Sequence, residues 1–262
     1  MDRSQSSAVT IGRVSTIDLW KLLAVVLMTV DHYGHFLADD MSIWRAIGRP
    51  TVPIWFFLIG FARSRDIPML WLVMGAILTA LDIVYNEGLE DSLINILFSF
   101  ALIRLALPYV ERAVAHSMAA LAGIVVLLIA IEPYAGAVVE YGAVGWLFAL
   151  VGLLHRRWLD GAERADGRVR IGVAVIAAAY FAWVEYGVHE FPPAELAVLA
   201  MLLVAITVGL ILLRPGLAPM QLPEPVAHVL RLAGRATLWL YAVPLIGLYL
   251  WGIWEAGEDD SD

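Results

Sequence analysis

The chain has 262 residues, of which 61% are hydrophobic and 16% are charged, and its formal net charge is −8. Soluble domains are roughly 45–50% apolar and about 25% charged, and a fold of this length leaves too much surface outside to bury such an apolar excess. This composition excludes an ordinary soluble domain, the acidic balance argues against nucleic-acid binding, and the absence of cysteine excludes disulfides and thiolate metal sites.

The apolar segments predict an all-α fold, a polytopic transmembrane helical bundle. A helix needs roughly 20 mostly apolar residues to cross a bilayer. The nine candidate segments, in chain order, are 17–37, 47–62, 68–85, 93–110, 117–131, 142–155, 170–186, 195–213 and 230–254. The first is preceded by Ser15-x-x-Asp18, which fits a capping box. We expect one integral membrane domain over 1–262, with a cytoplasmic segment 1–14 and an acidic tail 255–262.

Arginine is concentrated in alternate loops of this predicted bundle. The loops after the second, fourth, sixth and eighth helices include Arg63, Arg65, Arg112, Arg156, Arg157 and Arg214. The loops between them are acidic, as in 86–91 and 185–190. Because basic loops stay on the cytoplasmic side of a membrane, we expect a multi-pass protein of the cell inner membrane whose N-terminus is cytoplasmic.

Besides the capping residue Asp18, the first predicted helix carries four ionisable residues, which are costly inside a membrane and are therefore candidate functional residues. At about 100° per residue, Lys21, His32 and His35 share one stripe, and Asp31 lies beside it. The rise of about 1.5 Å per residue puts His32 roughly 16 Å from Lys21 along the axis. The alternatives are that Lys21 extends to the cytoplasmic interface and that His35 is solvated at the outer one.

Arg45 and Arg49 follow the first loop and are four residues apart, so they face the same way on a helix. Because this loop is short, we expect Arg49 at the depth of His32, where it pairs with Asp31. Such a pair leaves His32 as a neutral imidazole near physiological pH, suited to accept a proton. The alternative for Asp31, His32 and Arg49 is a structural polar contact between two helices. The alternative for Asn95 is an ordinary interhelical hydrogen bond.

Two of these stretches resemble the opening of the TraX family. They are 18–34, which contains Met28-x-x-Asp31-His32, and 45–57, which contains Gly48-Arg49 and Pro53. The stretches 95–98 and 141–145 also agree, so the resemblance runs through most of the chain. That family includes the conjugal-transfer protein that acetylates the N-terminus of F-type pilin.

The resemblance implies a membrane acetyltransferase that moves an acetyl group from acetyl-CoA to an acceptor amine or hydroxyl near the extracytoplasmic face. The acceptor would be a pilin-like protein, a lipid or a glycan. His32 would deprotonate the acceptor or carry the acetyl group itself, with Asp31 in support, and Arg49 would hold charge on the tetrahedral intermediate. The supporting residues would be Lys21, His35, Arg45 and Asn95.

Acetyl-CoA is polyanionic and is made in the cytoplasm, so its phosphates would bind on the arginine-rich side. Guanidinium groups pair bidentately with phosphate. The candidate residues for binding acetyl-CoA are Arg156, Arg157, Arg231 and Arg235. The alternative is that these arginines only set the topology of the bundle.

Two other classes of function stay open. Buried Asp, His and Arg side chains also form proton relays, so a proton-coupled transporter or carrier is one. A non-catalytic membrane assembly factor, in which the same polar residues are structural, is the other. Of the three classes, the enzyme is the one expected to use acetyl-CoA, and no metal is expected in its site.

Overall fold

The structure is a computed structural model that describes residues 11–12, 14–38, 41–89, 92–162, 167–216 and 222–259. Apart from a short antiparallel pair of strands, β1 (Ile11–Gly12) and β2 (Leu222–Pro223), the secondary structure of these residues is helical. The helices are α1 (Thr16–Phe36), α2 (Met41–Gly48), α3 (Thr51–Phe61), α4 (Met69–Tyr85), α5 (Ile96–His116), α6 (Met118–Ala135), α7 (Val144–Leu159), α8 (Gly167–His189), α9 (Pro193–Ile211), α10 (Glu224–Arg235) and α11 (Thr237–Asp259).

Within these described ranges, four helical stretches are long and apolar enough to cross a membrane: Met118–Ala135, Gly167–His189, Pro193–Ile211 and Thr237–Glu255. Helix α4 is also apolar, but it has only 17 residues. Large apolar side chains face outward from these helices, and Val126, Trp183 and Met201 are each 65–67% exposed. Such faces require lipid as their surroundings. The chain is therefore a multi-pass membrane protein whose environment is the lipid bilayer.

Each of the nine predicted segments contains a helix, but two of them are interrupted. The segment 47–62 is divided between α2 and α3, because Pro50 has no N–H to donate and disfavours a helical residue before it. The segment 230–254 is divided at Ala236, between α10 and α11. Nine crossings, the cytoplasmic N-terminus and the single domain stay predictions. In the predicted terminal segments, residues 1–10, 13 and 260–262 lie outside the described residues.

Helix α10 is amphipathic. One face carries residues spaced by three and four positions, Glu224, His228, Arg231 and Arg235, and the opposite face exposes Val226, Val229 and Leu232. This pattern is typical of a helix that lies at a membrane–water interface. Since α10 packs against α1 and β1, its arginines lie near the first turns of α1.

Side-chain carboxylates close the N-terminal ends of three helices, whose first amides have no partner within the helix. Ser15 and Asp18 form the predicted capping box of α1, through bonds of 3.1 Å and 3.3 Å. Glu140 accepts from the first amide of α5 at 2.8 Å, and Glu132 accepts from the first amide of α7 at 2.6 Å. Negative charge also complements the helix dipole. The last two bonds fasten the α6–α7 connection, 136–143, against α5 and α7.

Helix α3 lies at the centre of the bundle, with Phe57 fully buried, and packs most extensively against α7. The two backbones approach closely at two glycines. A β-carbon at Gly60 would collide with the backbone of Ala149, and one at Gly152 would collide with the carbonyl of Phe57. Small residues at such crossings let membrane helices pack tightly. The close crossing makes α3 and α7 a rigid pair around which α1, α5 and α9 are arranged.

Replacing Gly60 or Gly152 with alanine is expected to lower the free energy of unfolding by about 1–3 kcal/mol, the usual cost of overpacking a core. A β-carbon at Gly123 in α6 or Gly172 in α8 meets open space, so alanine there is expected to be neutral or slightly stabilising. Thermal unfolding of the four variants in detergent measures the difference. Equal melting temperatures for the two pairs of variants would contradict the close crossing of α3 and α7.

Candidate functional site

A cavity of about 690 Å³ runs along the inside of the bundle between α1, α3, α5 and α11. Small-molecule sites typically have volumes of roughly 300–1,000 Å³, so this cavity can hold a ligand of substantial size. The end at Asp31 and His32 is the polar end, and the end at Lys21, Arg63 and Arg156 is the basic end. Because Lys21 and Asp31 are ten residues apart on α1, about 15 Å separates the two ends.

The polar end is built from four separate parts of the chain. The polar side chains that line it, among the described residues, are Asp31 and His32 of α1, Thr51 of α3, Glu140 and Tyr141 before α7, and Tyr241 of α11. The ring centroids of His32 and Tyr241 are 6.0 Å apart. The hydroxyl of Thr51 donates to the carbonyl of Ala24 at 2.8 Å, which fixes the start of α3 against α1. An imidazole, two carboxylates and two phenols therefore converge at one end of the cavity.

Glu140 lines the cavity while one of its carboxylate oxygens is held by α5. Its Oε2 accepts from the amide of Ile96 at 2.8 Å. Burial raises the pKa of Glu140 to about 7, and the bond from the Ile96 amide opposes part of this rise. Burial therefore makes this carboxyl a weaker acid, at the same end of the cavity as His32.

Arg49 lies behind the polar end and joins four side chains. Its Nε is 3.2 Å from Glu185 and 3.7 Å from Asp31. Its two terminal nitrogens donate at 2.8 Å to the hydroxyl of Tyr141 and at 2.8 Å to Nε2 of His189. The same Nε2 of His189 also lies 3.4 Å from Glu185. One buried guanidinium thus balances two carboxylates and holds a tyrosine hydroxyl that faces the cavity.

Tyr141 has an uncommon backbone conformation. Its φ is +60°, in the left-handed region, and Gly142 follows with φ +35°. A non-glycine residue keeps such a conformation where its surroundings fix it, and here the hydroxyl is held by Arg49. Burial raises the pKa of the Tyr141 phenol well above its usual value, although the charge of Arg49 opposes this rise. The hydroxyl therefore keeps its proton at physiological pH.

Asn95 fixes the second tyrosine of the polar end. As the N-cap of α5, it accepts from the amide of Leu97 at 3.1 Å through its side-chain oxygen. Its side-chain nitrogen donates to the hydroxyl of Tyr241 at 2.7 Å, and its backbone N–H donates to Thr79 at 3.0 Å. Because both ends of the amide are engaged, the position of the Tyr241 hydroxyl is set by α5.

The basic end holds more positive than negative charge. Among the described residues that line it, Asp160 is the one carboxylate, and the cations are Lys21, Arg63, Arg104, Arg156 and Arg235. Arg156 is buried and donates to Glu111 at 2.7 Å. The pKa of nearby Arg65 is lowered, first by burial and then by repulsion from Arg156. This crowding of guanidinium groups favours a ligand with several negative charges.

The lining between the two ends is apolar. The residues around this part include Trp55, Ile59, Trp71, Phe100 and Leu238. The rings of Trp71 and Phe100 pack with their centroids 6.0 Å apart. A ligand that fills the whole cavity therefore carries its charge at one end, has a weakly polar middle, and presents its other end to His32.

The structure brings several predicted residues together. The pairing of Asp31 with Arg49 is confirmed, and Arg45 adds a second contact to Asp31 at 3.4 Å. Lys21 donates from Nζ to the carbonyl of Gly234 at 3.1 Å. The predicted site residues that line the cavity are Lys21, Asp31, His32, Arg156 and Arg235.

Other predicted residues lie away from the cavity. Arg49 is not part of the described lining, and Tyr141, which accepts its hydrogen bond, faces the cavity in its place. His35 is exposed on α1 and also lies outside the described lining. Arg157 and Arg231 form ion pairs with carboxylates outside this lining. Of the four arginines predicted to bind acetyl-CoA, Arg156 and Arg235 therefore line the cavity, and Arg157 and Arg231 do not belong to the described lining.

Sequence patterns alone do not identify five residues of this site, Glu140, Tyr141, Glu185, His189 and Tyr241. Glu185 is predicted to lie in an acidic loop, but α8 continues to His189 and buries it. The spacing of Glu185 and His189, four residues apart on one face, is the signal that the sequence offers for this pair. Tyr141 and Tyr241 are brought to the same cavity only by the tertiary structure.

The chain is similar to a known protein family over most of its length. The family model described as TraX protein matches residues 16–221. A curated relative, an uncharacterized protein of Rickettsia prowazekii (strain Madrid E), is 46% identical over 44 residues, which are 17% of this chain and 18% of the relative. The match thus spans less than a fifth of the length of that relative. No solved structure matches the chain.

Replacing Arg49 with glutamine is expected to destabilise the protein by about 3–5 kcal/mol, because it removes the shared partner of two buried carboxylates. The control is Arg63→Gln, since Arg63 pairs with Asp160 at 2.6 Å but its side chain is 79% exposed. Exposed ion pairs contribute about 0–1 kcal/mol. Thermal unfolding in detergent compares the two variants. If Arg49→Gln melts as late as Arg63→Gln, the buried ion network does not stabilise the fold.

Proposed function

The chain belongs to the TraX family, and from this premise we propose that it is a membrane acetyltransferase. It moves an acetyl group from acetyl-CoA to an acceptor amine or hydroxyl near the extracytoplasmic face. The observation that carries the proposal is a single cavity that joins five cations at one end to His32 at the other. A polyanionic donor with a reactive thioester at its far end matches both ends of this cavity.

The proposed orientation places the basic end in the cytoplasm. The loop 62–66 and the last turn of α7, which contribute Arg63 and Arg156 to that end, then follow the positive-inside rule. Acetyl-CoA is made in the cytoplasm and therefore enters at the basic end. In the proposed topology, with nine crossings of the inner membrane and a cytoplasmic N-terminus, α1 runs outward from Lys21 to His32. The polar end then faces the extracytoplasmic side, where the acceptor arrives.

In the proposed complex, the phosphates of acetyl-CoA contact Arg104, Arg156 and Arg235. Guanidinium groups suit this function because they donate two parallel hydrogen bonds to a phosphate. The flexible arm of the donor passes between Trp55 and Trp71, where the lining is apolar. The thioester then reaches His32, roughly 16 Å along α1 from Lys21.

His32 is proposed as the general base. The acceptor nitrogen or oxygen attacks the carbonyl carbon of the thioester, His32 takes the proton of the acceptor, and the carbonyl π pair moves onto oxygen. When the tetrahedral intermediate collapses, the C–S bond breaks and the CoA thiolate leaves with the bonding pair. The thiolate then takes the proton from His32. Asp31, the preceding residue, stabilises the imidazolium that forms between the two steps.

The acceptor is proposed to be a pilin-like protein, a lipid or a glycan, and membership of the TraX family supports a role connected with conjugation. Transfer through an acetylated His32 is the alternative route. It needs no simultaneous presence of donor and acceptor, whereas general-base catalysis needs both in the site at once.

A proton-coupled carrier is the second candidate function. It is favoured by the buried group formed by Asp31, Arg49, Glu185 and His189, because such groups also relay protons in membranes. Neither a carrier nor an assembly factor requires acetyl-CoA. Binding and turnover of acetyl-CoA therefore separate the enzyme from both alternatives.

Detergent-purified protein is expected to bind acetyl-CoA in a calorimeter and to release CoA thiol when an acceptor is added. His32→Ala is expected to retain binding and to lose turnover by about 10²–10⁴-fold, the usual contribution of a general base. His35→Ala is the matched control, since that ring lies on the same helix but outside the described lining. Full turnover by His32→Ala contradicts the assignment of the base, and absence of binding by the wild type contradicts the proposed function.

Arg104→Gln and Arg235→Gln are each expected to raise the Kd for acetyl-CoA about tenfold or more, because a hydrogen bond to a charged group contributes roughly 1.5–3 kcal/mol. The turnover of bound donor is expected to change little. Arg112→Gln is the control, because Arg112 is exposed on α5 and lies outside the described lining. An equal Kd for all three variants contradicts phosphate binding at the basic end. Added salt is expected to weaken wild-type binding as well.

A further inference from the structure

We propose that the hydroxyls of Tyr141 and Tyr241 form the oxyanion hole of this site. They donate hydrogen bonds to the carbonyl oxygen of the thioester and to the negative charge that develops on it. This inference rests on the proposed acetyl transfer and adds two catalytic residues to it.

The first observation is the hydrogen bonding of Tyr141. Its hydroxyl accepts from Arg49 at 2.8 Å and lines the cavity. A phenol that has accepted one bond still has its own O–H to donate. No described residue accepts from this hydroxyl, so a ligand in the cavity is the available acceptor. The positive charge of Arg49 also makes the hydroxyl a stronger donor.

Tyr241, on α11, repeats this arrangement. Its hydroxyl accepts from Asn95 at 2.7 Å, and its ring lies 6.0 Å from the ring of His32. Within the described part of the chain, this hydroxyl also has no acceptor for its own proton. Each tyrosine therefore has an oxygen held by a side-chain donor, a proton with no described acceptor, and a place in the lining that it shares with His32.

The charges around the polar end explain why neutral donors are needed there. Asp31 lines the same end, and its negative charge opposes an oxyanion. Two described cations, Arg45 and Arg49, contact Asp31. Both lie outside the lining, and Tyr141 stands between the cavity and Arg49. The phenol carries part of its polarising effect to the cavity. Arg49 is thus a positioning residue for the hydroxyl of Tyr141.

The chemical step is the one given above, with no further bond formed to protein. During attack, the π pair of the carbonyl moves onto oxygen, and the two phenols donate hydrogen bonds to that oxygen without losing their protons. On collapse, the pair returns to form the carbonyl of the product as the C–S bond breaks. Donors placed before the reaction stabilise the transition state more than the bound substrate.

Kinetic tests use Tyr141→Phe and Tyr241→Phe, which keep the ring and remove only the hydroxyl. Each is expected to lower kcat by about 10²–10³-fold, as loss of one oxyanion-hole donor does, with little change in the KM for acetyl-CoA. The matched control is Tyr249→Phe, since this buried tyrosine is also on α11 but donates to Asp82 at 2.8 Å, outside the described lining. Thermal unfolding identifies any variant that loses its fold.

An infrared test reads the carbonyl itself and needs no acceptor. Acetyl-CoA labelled with ¹³C at the carbonyl is expected to absorb at lower frequency when bound to the wild type than in water. This shift should shrink in each of the two phenylalanine variants and persist in Tyr249→Phe. Because the wild-type spectrum alone tests for strong donors, the inference stays falsifiable even where one variant fails to fold.

The outcomes separate the two proposals. If the wild type binds acetyl-CoA and turns it over, but its bound carbonyl absorbs as in water, the oxyanion hole is wrong and the acetyltransferase stands. The same holds if both folded variants keep their kcat. If the wild type does not bind acetyl-CoA, the proposed function fails and the oxyanion hole fails with it.

Discussion

A guanidinium buried with two carboxylates is the constraint on which the site depends. Arg49 lies 3.7 Å from Asp31 and 3.2 Å from Glu185, and removing such charges from water costs several kcal/mol for each ion unless their partners are held in place. The three side chains come from α1, from the break between α2 and α3, and from α8. A β-carbon at Gly48 would touch the backbone of Asp31, so this break lies directly against α1. Three parts of the chain are therefore brought together at one depth by a single charge.

The hydrogen bond from Arg49 to Tyr141 also keeps the positive charge of Arg49 outside the cavity lining. A guanidinium exposed in the cavity would bind any anionic group of a ligand, in the ground state as well as in the transition state. Behind Tyr141, it reaches the cavity only through a neutral hydroxyl that it polarises. A neutral donor interacts weakly with a carbonyl and strongly with an oxyanion, which is the difference that catalysis requires. In the proposed site, the buried ion group therefore supplies, through Tyr141, a donor that is selective for the oxyanion.

Local pattern predicts much of this molecule, and tertiary contact decides the rest. Helical spacing is sufficient to place Lys21 and His32 on one stripe, and both line one cavity. The pairing of Asp31 with Arg49 also follows, because a short loop limits how far the two can separate. Pro50 marks the break between α2 and α3 in the sequence, but the apolar pattern continues across it and therefore predicts one segment.

The missed residues share a physical reason. Glu185 lies in an acidic stretch that is typical of a loop, and only the packing of the end of α8 buries it beside Arg49. Tyr141 and Tyr241 are 100 residues apart, and neither carries a periodic signal for the cavity. Both line the cavity, and their hydroxyls are held there by Arg49 and Asn95, which lie at two different helix ends. Contacts between distant parts of a chain have no local signature that spacing rules can detect.

The distance between the two ends of the cavity resolves an electrostatic conflict in the proposed reaction. Binding a polyanion needs a surplus of cations, whereas accepting a proton at His32 is opposed by positive charge. At roughly 16 Å and an effective dielectric constant of about 20, each cation opposes a charge on His32 by about 1 kcal/mol. Bound phosphates cancel this field at the basic end. The positive charge that develops on His32 is then less opposed when the donor is present, so occupation of one end favours proton transfer at the other.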